Sequence, residues 1–344
     1  GDSTRTSLDY YEAGLNGSAN LGYGLLLSAQ GVVRDAGATD DGHLRLDYAL
    51  LDYQFIDAAA ANGGIRLGRV KNPFGFFNDA RDVVFTRPGI LMPQLYFESV
   101  GIRSLLFSSD GGQLYGNAAV GDHEFSAALS IARNRHLSEL EKRQLGGTDA
   151  FDDVHIEVED LRFARLQDDF DGGRVKLALS YIGGTLRIHG ATPFSGALDV
   201  DLYLLSARFD AERYSLISEY ALMKTRSELP GLGMTDRNTG DSLYVQADWR
   251  CTPEWTLYLR HDMNFSDRGD RNGRDAETET GADRHTKFSH DSVLGVNWRY
   301  DMHWGVWLEG HLIDGTASVP AADNPDPARD AHWSLFAAMI GYRF

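Results

Sequence analysis

The stretch "FSHDS" at 288–292 sets Ser289, His290 and Asp291 side by side, the side-chain types of a nucleophile, its base and an orienting acid. Neighbours on an extended chain face opposite ways, so Ser289 and His290 do not meet, and the stretch reads as the start of a strand. The run "DRGDRNGRDAETETGADRH" at 267–285 mixes Asp with Gly as calcium loops do. It lacks the EF-hand ligand spacing and interleaves bases with its acids, which predicts a salt-bridged surface loop. His303 and His311 flank Trp304 and Trp307, and a metal there would need further ligands from other strands. The one cysteine, Cys251, supplies neither a disulfide nor a thiolate cluster. No catalytic residue, metal or cofactor is expected, and the chain does not read as an enzyme.

Charge patterning points to a different chemistry. Residues 70–101 read "VKNPFGFFNDARDVVFTRPGILMPQLYFESVG", with Lys71, Asp79, Arg81, Asp82, Arg87 and Glu98 inside the segment and Arg66, Arg69 and Arg103 beside it. Opposed acids and bases across a wet constriction set a transverse field that selects ions. The same groups paired to a wall would only fix the segment in place. Three prolines, Pro73, Pro88 and Pro93, exclude a continuous central strand here. The many Phe, Val, Ile and Leu exclude a solvated linker, so the segment must pack against something.

The elements around it alternate with period two. In "DSLYVQADWRC", Leu243, Val245, Ala247 and Trp249 share one face, with Gln246, Asp248 and Arg250 on the other. "EWTLYLRHD", "DSVLGVNWRY", "LRLDYAL", "RVKLALSY", "LDVDLYL" and the terminal "HWSLFAAMIGYRF" read the same way. Short connections at 17–20, 120–123, 169–174, 210–213, 251–254 and 300–303 alternate with long polar ones at 135–155, 189–197, 227–240, 265–288 and 317–331. Aromatics cluster beside the short turns. No stretch approaches the roughly 18 apolar residues of a membrane helix. A membrane β-barrel escapes that test, because only alternate residues face lipid. Sorted loop lengths and an aromatic girdle are what such a barrel shows.

The expected fold is therefore all-β: a transmembrane antiparallel up-and-down β-barrel. About fifteen strands are countable; sixteen is favoured and fourteen is the alternative. It forms one domain over 1–344, with 71–101 as an inserted lumen loop. Arg45, Asp47, Arg66, Lys176, Glu219, Asp248, Arg250, Arg260, Arg299 and Glu309 should face the lumen, since a charge against mid-bilayer lipid costs about 2–4 kcal/mol. A formal charge of −17 excludes nucleic acid as a partner. The opening "GDSTRTSLDYYEAG" carries neither a basic start nor an apolar h-region.

Two features together resemble a known group. Phe344 closes an alternating strand, as in Gram-negative outer-membrane proteins. Gly68, Arg69, Lys71, Pro73, Phe74 and Gly75 match the "GR-K-PFG" turn that leads into the long inserted loop of porins related to the phosphate-selective and dicarboxylate families. The resemblance implies a protein of the cell outer membrane that passes small hydrophilic solutes by passive diffusion. It further implies a constriction loop, contact with outer-membrane lipid and lipopolysaccharide, and a homotrimer. The dense lysine ladder of anion-selective members is absent, and 33 Lys and Arg face 50 Asp and Glu, so phosphate selectivity does not carry over. The rivals are a specific channel for apolar molecules, a plugged structural barrel acting through partners, and a soluble β-sandwich.

Overall fold

The computed structural model describes residues 10–37, 40–96, 103–139, 141–142, 154–190, 195–230, 234–319 and 330–344. Alternating sequence becomes one antiparallel meander. Its first strands are β1 (Tyr11–Gly22), β2 (Leu25–Gly37), β3 (Asp40–Ala58), β4 (Ala61–Lys71), β5 (Ser108–Val120), β6 (His123–Ala132), the two-residue β7 (Arg135–His136) and β8 (His155–Phe170). The rest are β9 (Val175–His189), β10 (Gly196–Asp210), β11 (Tyr214–Leu229), β12 (Met234–Arg250), β13 (Trp255–Phe265), β14 (Phe288–Arg299), β15 (Trp304–Gly315) and β16 (His332–Tyr342). All sixteen belong to one sheet; fifteen run in sequence order along the wall, and β7 pairs with β8 beside that path. β1 and β16 both run toward the short-connection end, and among the described residues no register joins them.

One face of this sheet is apolar and uncovered. Leu205, Leu216, Leu259, Leu294, Leu312, Phe336 and Ile340 are exposed, and each sits between buried or half-buried neighbours. Trp255 stacks on Trp298 at 5.5 Å and Trp304 lies 4.8 Å from Tyr342, all beside the short turns. These rings form the girdle expected where lipid meets water.

The other face is covered by the inserted segment. Phe74, Phe77, Met92, Leu95 and Tyr96 pack on Phe163, Ile182, Leu202, Leu204, Ile217 and Tyr244 of the wall. Phe85 and Ile90 pack on Trp307, with Ala337 and Met339 of the last strand beside them. So Ala337 and Met339, inner residues of β16, meet the segment rather than water. The short helix α1 (Arg103–Phe107) returns the chain to β5.

Three local expectations are corrected. "GSAN" at 17–20 lies inside β1, and the turn falls at Tyr23–Gly24 instead. Gly22, Tyr23 and Gly24 all have positive φ, and a side chain on Gly24 would collide with the carbonyl oxygen of Gln54. The polar stretch 227–240 is mostly strand: β11 and β12 pair without interruption from Tyr214↔Trp249 to Leu229↔Met234. At 16 and 17 residues they exceed the roughly 9–11 needed to cross a bilayer, so their hairpin stands clear of it. In "LDVDLYL" the polarity is reversed: Leu202 is buried inside, while the alternating Asp199 and Asp201 face outward near the long-connection rim.

Candidate functional site

The inserted segment crosses the inside of the sheet, and its backbone is held by wall carboxylates. Glu219 on β11 accepts the Phe76 N–H at 3.0 Å, the Tyr96 hydroxyl at 2.7 Å, the Tyr244 hydroxyl at 2.8 Å and the Ser206 hydroxyl at 2.6 Å. Glu309 on β15 accepts the N–H groups of Ile90 and Leu91 at 2.8 and 3.1 Å and the Tyr258 hydroxyl at 2.6 Å. Asp262 on β13 accepts the Gln94 N–H at 3.1 Å. Arg260, beside it, donates to Asp262 at 2.7 Å and to the Leu91 carbonyl at 3.0 Å. The segment is rich in proline and has little regular structure, so its own backbone leaves N–H groups without partners. An acid reaching from the wall satisfies them with charge-assisted bonds.

The charges within the segment are also paired. Lys71 lies 2.8 Å from both Asp47 and Asp82. Arg87 meets Glu12 of β1, whose other oxygen is 3.7 Å from Arg34. Asp79 takes a 2.6 Å bond from Arg165 on β8. Arg81 is buried, 3.3 Å from the Asn78 side-chain oxygen. Arg66 donates to Asp52 at 2.9 Å and Gln113 at 2.8 Å, and lies over the Tyr115 ring. Arg69 does not join this group; it pairs with Asp110 of β5 at 3.4 Å. Glu98 and the side chain of Arg103 lie outside the described residues.

The remaining wall residues fall into two sets. Arg45 lies in register with buried Val32, and Asp47 comes next at a bulge that also turns Tyr48 inward. Lys176 bonds Asp169 beside it. Glu219, Arg260 and Glu309 are the anchors of the segment. Asp248, Arg250 and Arg299 instead line an open cavity of about 470 Å³ at the short-connection end. Its roof is Phe77, Phe85, Arg87 and Pro88 of the segment, and its wall adds Arg208, Tyr258 and Trp307. Asp248 takes a bond from Gln246 at 2.8 Å, and Arg208 binds Asp210 in a fork at 2.5 and 2.9 Å. Arg250 donates to the Ser215 hydroxyl and to carbonyls of the 211–214 turn. Arg299 is exposed.

Several contributors were not singled out from sequence. Asp262 lies two residues after Arg260, so the same alternation would have placed it on the inner face; His311, considered above only as a metal ligand, follows Glu309 in the same way. His311 is buried between Asp291 at 2.8 Å and Glu309 at 3.2 Å. Glu12, Arg34, Arg165 and Arg208 needed knowledge of which strands face the segment. Ser289 and His290 separate as alternation requires: Ser289 is buried against Gln94, and His290 lies on the outer face beside His261.

No protein-family model and no curated protein matches this chain. Solved structures do. An anion-selective porin from Comamonas acidovorans is similar at 14% identity, with a TM-score of 0.60, covering 97% of this chain and 89% of that one. The outer membrane channel DcaP of Acinetobacter baumannii is similar at 11% identity and 0.59, covering 96% and 82%. OmpF of Salmonella typhi, in complex with daunomycin, is similar at 13% and 0.57, covering 96% and 89%. The sixteen-stranded antiparallel sheet is therefore that of a porin-like fold.

Proposed function

We propose that this protein is an outer-membrane channel through which small hydrophilic solutes diffuse passively. The observation that carries the reading is the opposition of the two faces. Leucine, tryptophan and phenylalanine lie outward, while Arg208, Asp248, Arg250 and Arg299 lie inward around an open cavity. A wall of this kind is stable only with lipid outside and water inside. The solved structures of the same fold are outer-membrane proteins, which supports the location and is compatible with a homotrimer in the membrane.

Passage is controlled where the inserted segment roofs the cavity. Arg250 and Arg299 face it against Asp248, while the charges of Arg87 and Arg208 are balanced by Glu12 and Asp210, so this end should favour anions despite the chain's net charge of −17. Purified protein in planar bilayers should give discrete conductance steps and a reversal potential of anion-selective sign in asymmetric KCl. Absence of steps would remove the channel reading.

A second reading is favoured by a specific observation. The segment is bonded to β1, β3, β8, β9, β11, β12, β13, β14 and β15, which is the bracing of a plug. A closed barrel acting through partners would conduct only after those anchors are cut. Comparing wild type with a Glu219→Ala/Glu309→Ala variant separates the two readings.

A further inference from the structure

We infer that the open cavity under the inserted segment binds a short zwitterionic peptide with an apolar side chain. This names a solute for the cavity and rests on the channel reading for the passage itself. The wall of the cavity is a row fixed by register: Arg250 pairs with Thr256, Thr256 with Asn297, and Asn297 with Trp307. Asp248 stands one inward position above this row on β12, and Arg299 one below it on β14, beside the short turns. A carboxylate thus closes the inner end and a guanidinium the outer end, with a hydroxyl and an amide between them.

Most charges around the cavity are already engaged. Arg87 meets Glu12, Arg208 forks onto Asp210, and Arg250 donates to the Ser215 hydroxyl and to the carbonyls of Ala211, Glu212 and Tyr214. Two groups of opposite sign are left. Arg299 makes one long bond, 3.4 Å to the Phe85 carbonyl. Asp248 takes one bond, 2.8 Å from Gln246, and has no ion pair among the described residues. Between them the side-chain oxygen of Asn297 is buried without a hydrogen-bond partner. A buried acceptor left bare costs stability, so it marks a place for a donor that the chain itself does not supply.

An extended dipeptide meets all three demands. Its ammonium faces Asp248, its carboxylate takes a charge-assisted fork from Arg299, and its peptide N–H donates to Asn297 between them. A free α-amino acid carries both charges on one carbon and has no amide N–H to offer. A dicarboxylate would set a like charge against Asp248. An apolar side chain suits the rest of the lining, where Phe77, Phe85, Pro88, Ile217 and Trp307 converge. At about 470 Å³ the cavity is of the size that encloses small molecules.

The test uses the full chain in detergent, with binding read by calorimetry. The probes are alanyl-phenylalanine, its N-acetyl form, its C-terminal amide, and succinate. Wild type should bind the free dipeptide about tenfold or more tightly than any of the other three. Asp248→Asn should lose the discrimination against the N-acetyl form and keep that against the amide; Arg299→Gln should do the reverse. Each comparison is a ratio within one protein, so a lower folded yield does not move it. Equal affinity for the three peptide forms would overturn the inference. So would succinate binding as tightly as the dipeptide, which would mark a plain anion site, or discrimination that survives both substitutions. Planar-bilayer recording of the same preparation keeps the two proposals apart. Dipeptide discrimination in a protein that never conducts would leave this site standing and the channel reading fallen. A conducting protein that binds no dipeptide would sink this inference alone.

Discussion

Glu309 is withdrawn from water yet surrounded by donors from three parts of the chain: the inserted segment, Tyr258 and His311. Its worth lies in what its loss would leave behind. Glu309→Ala strands two backbone N–H groups and the Tyr258 hydroxyl in a dry site, which should cost about 3–5 kcal/mol. Thermal unfolding of the detergent-solubilised protein checks this, and Glu309→Gln, which keeps the shape, should lose less. At the short-connection end, Asp301 accepts the N–H groups of Trp304 and His303, both at 2.7 Å, and these bonds hold its carboxyl below the usual carboxylate range. A lowered folded value means that the stabilisation is present above the unfolded carboxylate pKa and is lost as pH falls through the lowered one. The difference in unfolding midpoint between wild type and Asp301→Asn should therefore be present at neutral pH and shrink as the pH falls below the ordinary carboxylate range. The anchor residues were legible as inward charges because alternation alone fixes their face. Their role was not legible, because lining a passage and pinning a segment call for the same side chains.

The inserted segment shows how an element without regular structure becomes fixed. Gly75 has φ of 58° and packs between Tyr96 and Glu219, leaving no space for a side chain. Gly75→Ala should cost about 1–3 kcal/mol through backbone strain and lost packing, and should speed proteolysis of the 72–96 stretch ahead of global unfolding. The sequence "KNPFG" signals that a strand stops here, and the apolar composition of residues 76–96 signals that they must be buried. Their packing surface was hidden, since Leu202 and Leu204 face inward against an expectation of polar inner residues. The turn at Tyr23–Gly24 was missed for a similar reason. "GSAN" has turn chemistry, but the nearby "GYG" at 22–24 supplies the positive φ angles the chain uses.

The whole molecule depends on which side of its wall meets lipid. Leu259 is 62% exposed midway up β13, so Leu259→Arg should cost about 2–4 kcal/mol and lower the folded fraction recovered in bilayers. Arg299→Leu, on the other face, should fold normally and shift the reversal potential toward cations. The sheet, its antiparallel order and its apolar belt were readable because period two persists through nearly every strand. The strand lengths were not, because β11 and β12 continue into polar sequence beyond any bilayer. The bracing of the segment also dictates an order of events during biogenesis. Phe76 waits for an acceptor 143 positions later, Gln94 for one 168 later and Ile90 for one 219 later. Contacts so distant along the chain form slowly. A polypeptide delivered N-terminus first thus carries a greasy, donor-rich stretch whose anchoring stays incomplete until β15 arrives. That timing requires the wall to close around a segment whose last anchors come from β13 and β15.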